Sequence, residues 1–245
     1  MPGSAKPTER RSRGLAAGRR IYDWWADNES LYRAMAGAIL LGRDATLRNE
    51  AVAQLHLENG NTVLDLACGP GTNLARLERA VGPGGRIIAF DYNTGMLSRT
   101  REAAAREEWR NVDAVQGDAA HMRLPDDSLD GALCTLGLSA MPQPELAIRQ
   151  VHRCLKPEGR LVVLDAKLAE GTWSVFNPLL RAAFVPTTNW NTSADLIVAM
   201  RDAFGSVAGR KLNRGTVFLA VAKKEANGSA RREAAPASAD PLPQR

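Results

Sequence analysis

The chain predicts an α/β fold, a mostly parallel sheet with helices on both faces and an antiparallel last strand. Three observations carry that expectation. Five short apolar segments alternate with helical stretches across the middle of the chain, the pattern of a parallel sheet built from crossover units. The stretch "VLDLACGPGTNLARL" (63–77) runs from one such segment through an acid into Gly69-Pro70-Gly71, then into helical spacing. Near the end, "SVAGRKL" and "TVFLAVAKK" flank Asn213-Arg214-Gly215, a hairpin signature that turns the last strand antiparallel.

The elements follow in order. "DATLRNEAVAQLHL" repeats Leu47, Ala51, Val52 and Leu55 at helical spacing, as a core-facing stripe requires. Strands are expected at Thr62–Leu66, Arg86–Asp91, Val112–Gln116, 131–135 and 160–165. Between them, "LARLERAVG" is a short helix ending at Gly82, and "TGMLSRTREAAAREEW" a longer, Ala- and charge-rich one. "PELAIRQVHRCL" starts after Pro142 and Pro144 and stops at "KPEG", where Pro157 cannot continue a helix and Gly159 can turn. "NTSADLIVAMRDAF" is a last helix, with Thr192 and Ser193 as cap candidates and Leu196, Ile197, Met200 and Phe204 inward.

Composition narrows the function class. At 245 residues and 44% hydrophobic content, the chain fits one well-buried domain. It has no apolar run of the roughly 18 residues that a membrane span needs, and no signal-peptide pattern at its start. Cys68, Cys134 and Cys154 are far apart and lack metal-ligand spacing, as reduced thiols of a cytoplasmic protein without a metal would be. The formal charge of +5 sits in the tails. Residues 1–20 hold six Lys/Arg against one Glu, and residues 223–245 hold five against three acids, which leaves the middle at −2. A nucleic-acid binder more often carries its basic footprint on the folded surface, so no nucleic-acid partner is expected. The expected organisation is a disordered basic tail at 1–20, a domain at 21–222 and a second disordered tail at 223–245. The basic tail is the segment suited to weak contact with an anionic membrane surface.

In an open parallel sheet, ligands bind at the carboxyl ends of strands, near the point where strand order reverses. Asp65 to Gly71 ends the first strand, Asp91 the second, and Asp118 follows the third. Singly each acid could be an ordinary helix cap; three at successive strand ends converge on one edge. Asp91 can accept from two ribose hydroxyls, and Asp118 from an exocyclic adenine amine. A dinucleotide site wants G-x-G-x-x-G. Here the third glycine falls at Leu74 or Thr72, which leaves an NAD-linked oxidoreductase as the lesser alternative to a nucleoside without phosphates.

These motifs resemble those of the class I S-adenosylmethionine-dependent methyltransferases. "LDLACGPG" is similar to the family's first motif, with Ala67 where many members have Gly. "FDYNTGML" resembles the acidic motif after the second strand, "QGDAAHMRLPDDSLDGALCTLGLS" the adenine-side motif and fourth strand, and "AIRQVHRCLKPEGRLVVLD" the fifth-strand region. The likeness spans roughly residues 22–222 and is nearest to the ubiquinone/menaquinone C-methyltransferase and bacterial phospholipid N-methyltransferase groups. It implies a Rossmann-like, seven-stranded sheet and S-adenosyl-L-methionine as cofactor. It also implies that Asp65 and Ala67, Cys68, Gly69 and Gly71 line the methionine part, Asp91 binds ribose, and Tyr92 and Met96 pack on adenine. Asp118 and Ala119 would meet the adenine edge, with Cys134 and Thr135 flooring the pocket.

Methyl transfer from a sulfonium is a direct displacement, so proximity and water exclusion dominate. His121 and Tyr22 are the candidate bases, should the acceptor hold a proton until attack; His56 and His152 lie in helix patterns and read as structural. Tyr22, Trp24, Trp25 and Tyr32 cluster ahead of the sheet, as a packed helix or as the lid that the resemblance implies. No Asn/Asp-Pro-Pro-Tyr motif follows the fourth strand, where DNA and RNA amino-methyltransferases usually carry it. The expected acceptor is therefore a small, largely apolar molecule, lined by Leu136, Leu138, Met141, Trp173, Phe176, Leu179 and Phe184. A fold that holds the cofactor without transferring its methyl is the other alternative.

Overall fold

The computed structural model describes residues 18–226. A helix over residues 18–27 (α1) leads into α2 (Glu29–Ile39) and α3 (Asp44–Ala53). The sheet then forms from β1 (Thr62–Leu66), β2 (Arg86–Asp91), β3 (Val112–Gln116), β4 (Leu129–Thr135) and β5 (Leu155–Ala166). The helices between them are α4 (Leu74–Val81), α5 (Thr94–Arg106) and α6 (Pro144–Cys154). After β5 come α7 (Asn177–Thr188), α8 (Leu196–Phe204), β6 (Ala208–Leu212) and β7 (Val217–Lys223).

The strand order is β3-β2-β1-β4-β5-β7-β6. The first five strands pair parallel, and β7 runs antiparallel to both β5 and β6. The chain builds outward from β1 to β3, then returns to lay β4 on the other side of β1. That reversal is the switch point at which such sheets bind ligands.

Successive side chains leave a strand on opposite faces, and the core divides accordingly. Leu64, Leu66, Leu161 and Val163 pack with Ile148, Val151, Met200 and Phe204 of α6 and α8. Val63, Val162 and Leu164 pack on the other face with Leu47, Leu74, Leu77 and Leu97 of α3, α4 and α5. Central strands buried on both faces need continuous apolar runs, which is why "TVLDL" and "RIIAFD" read as strands rather than alternating ones.

The first three strands have the bounds that their sequence implies. β4 and β5 are longer, starting at Leu129 and Leu155 rather than at 131 and 160. Leu129 pairs with Leu155 and Gly131 with Arg160, so the "KPEG" stop is a bulge inside the pairing. The cap of α8 is neither Thr192 nor Ser193. Asp195 fills that place, its carboxylate accepting from the Val198 N–H at 3.1 Å, while Ser193 turns back to the Asn191 side chain. Both tail boundaries also move. Residues 18–20 belong to α1, Lys223 closes β7, and the Lys224 ammonium donates to the Leu155 carbonyl at 2.7 Å. The rest of the two expected tails lies outside the described residues.

Candidate functional site

The turn after β1 is unusual backbone. Ala67 (φ 54°), Gly69 (φ 56°) and Gly71 (φ 79°) are all left-handed, a region costly for a residue with a Cβ. The two glycines answer to different neighbours. A Cβ on Gly69 would stand 3.2 Å from the Tyr32 hydroxyl, whereas one on Gly71 would stand 2.8 Å from the Leu74 side chain. Gly69 therefore admits the ring of a residue on α2, and Gly71 admits the first turn of α4.

Asp91 closes the turn from the side. One carboxylate oxygen accepts from the Gly69 N–H at 2.9 Å, and the other from the Asn93 N–H at 2.8 Å. Burial pushes this carboxyl up, against the pull of its backbone donors at Asn93, Gly69 and Tyr92. Asn93 caps α5 by accepting from the Met96 N–H, and its amide donates to Asp23 at 2.6 Å, tying α1 to the rim. Asp118 accepts from the Ala120 N–H at 3.0 Å and caps a short turn over Ala119–His121.

These groups enclose a cavity of about 110 Å³ at the carboxyl ends of β1, β2 and β4. Of the residues singled out in the sequence, Ala67, Gly69, Asp91, Tyr92, Asp118, Ala119 and Tyr22 lie on its wall. Tyr32 joins them from the aromatic cluster and Leu136 and Met141 from the expected acceptor side, while Phe90 and Asn93 come unannounced. The strand pattern gave no means to separate Phe90 from its core neighbours.

Asp65, Cys68, Gly71, Met96, Cys134 and Thr135 lie behind the wall. Asp65 and Thr135 belong to a buried network under the turn. The wholly buried Arg48 guanidinium donates to the Asn73 side-chain oxygen at 2.9 Å and to the Thr135 hydroxyl at 2.5 Å. The Asn73 amide in turn donates to Asp65 at 2.9 Å. Burial lifts the Asp65 carboxyl to about 7, opposed by Asn73 and by the charge of Arg48. Met96 is wholly buried against Trp25 and Ala26, so it seats the α1 helix. Cys68 and Cys134 are buried thiols, and desolvation pushes both up.

His121 is likewise off the wall. Its turn points Ala119 and Ala120 inward and leaves the imidazole 55% exposed, 3.6 Å from Asp118. Tyr22 is on the wall, but its hydroxyl donates to the Thr188 carbonyl at 3.2 Å. Burial, reinforced by Tyr32, Asp91 and Asp165, pushes this phenol well above its ordinary range. A phenol held protonated in this way is a poor base. His152 packs edge-on against Phe204 at 4.8 Å between α6 and α8, a structural place.

A second cavity of about 250 Å³ adjoins the first, and Tyr22, Tyr32, Leu136 and Ala140 belong to both walls. Its lining is mainly apolar, with Met35, Ile39, Trp173, Phe176, Leu180 and Phe184. The wholly buried Asp165 reaches it from the end of β5. Asp165 accepts from the Ser139 hydroxyl at 2.6 Å and the Ser139 N–H at 3.0 Å, while burial pushes its carboxyl up. Trp25 donates its indole N–H to the Thr187 carbonyl at 2.7 Å, so α1 is latched onto α7 over both cavities. Of the residues expected to line the acceptor side, Leu138 is wholly buried in the core, Met141 is on the first cavity, and Leu179 faces outward. The turn and helix directions decide this, and composition does not report them.

A methyltransferase-domain model matches residues 57–209. A demethylmenaquinone methyltransferase of Desulfitobacterium hafniense is 32% identical over 156 residues, 61% of this chain and 62% of that protein. The chain thus spans less than two thirds of that relative's length. One of Lactobacillus johnsonii is 28% identical over 227 residues, 83% of this chain and 93% of the relative. Among solved structures, a SAM-dependent methyltransferase from Aquifex aeolicus superposes with a TM-score of 0.57 at 21% identity, over 72% of this chain and 88% of the other. The cyclase SpnF superposes with 0.62 at 18% identity, over 74% and 80%, and at such identities the likeness concerns the fold alone.

Proposed function

The chain belongs to the methyltransferase-domain family as a class I S-adenosylmethionine-dependent methyltransferase, and from that premise we propose that its acceptor is a small, largely apolar, quinone-like molecule held in the second cavity. The observation that carries this reading is the shared wall. Two mainly apolar cavities meet across Tyr22 and Tyr32 at the sheet's switch point, the first with Asp91 and Asp118 on its wall and the second with Asp165 and the aromatic side chains Trp173, Phe176 and Phe184.

The first cavity suits the cofactor by the chemistry of its donors. The Asp91 carboxylate accepts from the Gly69 and Asn93 N–H groups through different oxygens and stands on the cavity wall with acceptor capacity left over, so Asp91 would hold the ribose. Asp118 and Ala119 meet the adenine edge, Tyr92 and Phe90 offer it ring surface, and the Gly69 turn takes the methionine part. Bound S-adenosylmethionine supplies an electrophilic methyl on a sulfonium. The chain's task is then to align an acceptor in the second cavity and exclude water. Tyr22, protonated and anchored to Thr188, orients rather than takes a proton. The latched pair α1 and α7 closes the site. An NAD-linked reaction and a silent binding module are not favoured by the family.

The test is labelled-methyl transfer from S-adenosylmethionine into a demethylmenaquinone with a short prenyl chain, with free amino acids and RNA as controls. Label in the quinone supports the reading. Label only in a charged, water-soluble acceptor or in RNA would sink it.

A further inference from the structure

The segment from Gly171 to Thr188, a 3-10 turn followed by α7, has no buried residue although it is mostly apolar. Leu180 and Phe184, one helical turn apart, face the second cavity. Val175, Leu179 and Val185 line neither cavity and are 70%, 67% and 38% exposed. Trp173 and Phe176, stacked with ring centroids 5.9 Å apart, line the cavity yet remain 42% and 51% exposed. Leu41, also on the cavity wall, is 66% exposed. The mouth of the second cavity therefore opens among apolar side chains that continue onto the outer face of α7. Contiguous apolar surface of this kind marks an interaction site.

Cations outnumber acids around this face: Glu170, immediately ahead of it, is ion-paired to both Lys167 and Lys211. From residue 171 to residue 194 the chain carries Arg181 and no Asp or Glu. The Arg214 guanidinium lies 4.3 Å over the Trp173 ring. The 17 residues ahead of α1 carry four Lys/Arg against one Glu, and α1 is bonded to the end of α7 through Tyr22 and Trp25. The basic stretch of sequence thus precedes a helix that is bonded to the end of α7.

We propose that this face docks on an anionic lipid bilayer, with α7 lying in the interface and the second cavity opening toward the lipid. Aromatic and aliphatic side chains sink into the headgroup boundary while flanking cations meet anionic lipid. A second copy of this chain fits less well. A two-fold contact through this face would set the segment against a second copy of itself, which offers Arg181 no acid between residues 171 and 194. The benefit of docking, that an apolar acceptor enters without crossing water, rests on the reading of the second cavity given above; the docking itself is measured without any acceptor.

The experiment is co-sedimentation of the full chain with vesicles of phosphatidylcholine plus phosphatidylglycerol, and with phosphatidylcholine alone. The chain should bind the mixed vesicles, and bind the neutral ones more weakly. The double variant Val175→Glu/Leu179→Glu should lose about a hundredfold in partitioning, because two side chains no longer leave water. Its melting temperature and its calorimetric affinity for S-adenosylmethionine should match the wild type, since neither residue lines a cavity. Failure of the wild type to bind either vesicle overturns the proposal, as does undiminished binding by the double variant. A dimer seen by ultracentrifugation that the double variant dissociates overturns it too, by assigning the face to a second copy. Failed docking with intact labelled-methyl transfer would leave the acceptor reading standing, and the reverse holds equally.

Discussion

The Asp91 carboxylate accepts a hydrogen bond from the Gly69 N–H at 2.9 Å, across 22 positions of sequence. One bond thereby joins the end of β2 to the glycine turn after β1, and sets the two sides of the first cavity relative to each other. If the same carboxylate holds both ribose hydroxyls, Asp91→Ala should weaken S-adenosylmethionine binding by about 2–4 kcal/mol, charge-assisted bonds being about twice as strong as neutral ones. Isothermal titration measures this. Unchanged affinity in a folded variant removes Asp91 from the site.

Phe176 lines the second cavity while half its surface stays in solvent, so the fold does not depend on it. Phe176→Ala should raise the acceptor's KM about tenfold, the loss expected from part of an aromatic face. The cofactor's affinity and the melting temperature should stay as they are. A fall in cofactor affinity instead would place Phe176 on the wrong side of the tyrosine wall.

Asp65 should make stability depend on pH. Its folded pKa, about 7, lies above its unfolded one because burial penalises the charge, Asn73 and Arg48 offsetting only part. Between about pH 4 and 7 the folded chain keeps a proton that the unfolded chain has released, so stability is lost as pH rises through that window. Asp65→Asn keeps the acceptor for the Asn73 amide and has no charge to bury. Its advantage over the wild type in urea unfolding should be about 2–3 kcal/mol larger at pH 8 than at pH 5. A difference that does not vary with pH refutes the assignment.

Ala67 is a left-handed alanine on the cavity wall (φ 54°), with its methyl against Gly137. Glycine relieves strain of about 1–2 kcal/mol and gives back about 0.4–1 kcal/mol through the freer unfolded chain. Ala67→Gly should therefore raise the melting temperature by roughly 2–3 °C. A clear drop would mean that the methyl's packing outweighs the strain.

His121→Ala should leave turnover and cofactor affinity unchanged, because the imidazole stands outside both cavities. A loss of turnover with cofactor affinity intact would bring it back as a base.

What the sequence by itself determined is what local chemistry encodes. Strand period and turn residues locate β1, β2 and β3 to the residue, and they put Asp65, Asp91 and Asp118 at or near successive strand ends. The Asn213-Arg214-Gly215 turn implies the antiparallel β7. Only the tertiary structure decided which of the neighbouring residues face a ligand. Asp65 lies inside β1 in register with Ala89, two residues short of Asp91, and it is sealed under the turn by Arg48 and Asn73 while Asp91 edges the cavity. Cys134 and Thr135 end β4 in the interior, and the next two residues, Leu136 and Gly137, form the wall. Tyr22 meets Thr188 across 166 positions. No local pattern encodes such a pairing: a side chain's direction past the last strand residue depends on what packs against the turn, and here those partners arrive from α2, α3 and α7, elements remote in sequence from the turn they cover.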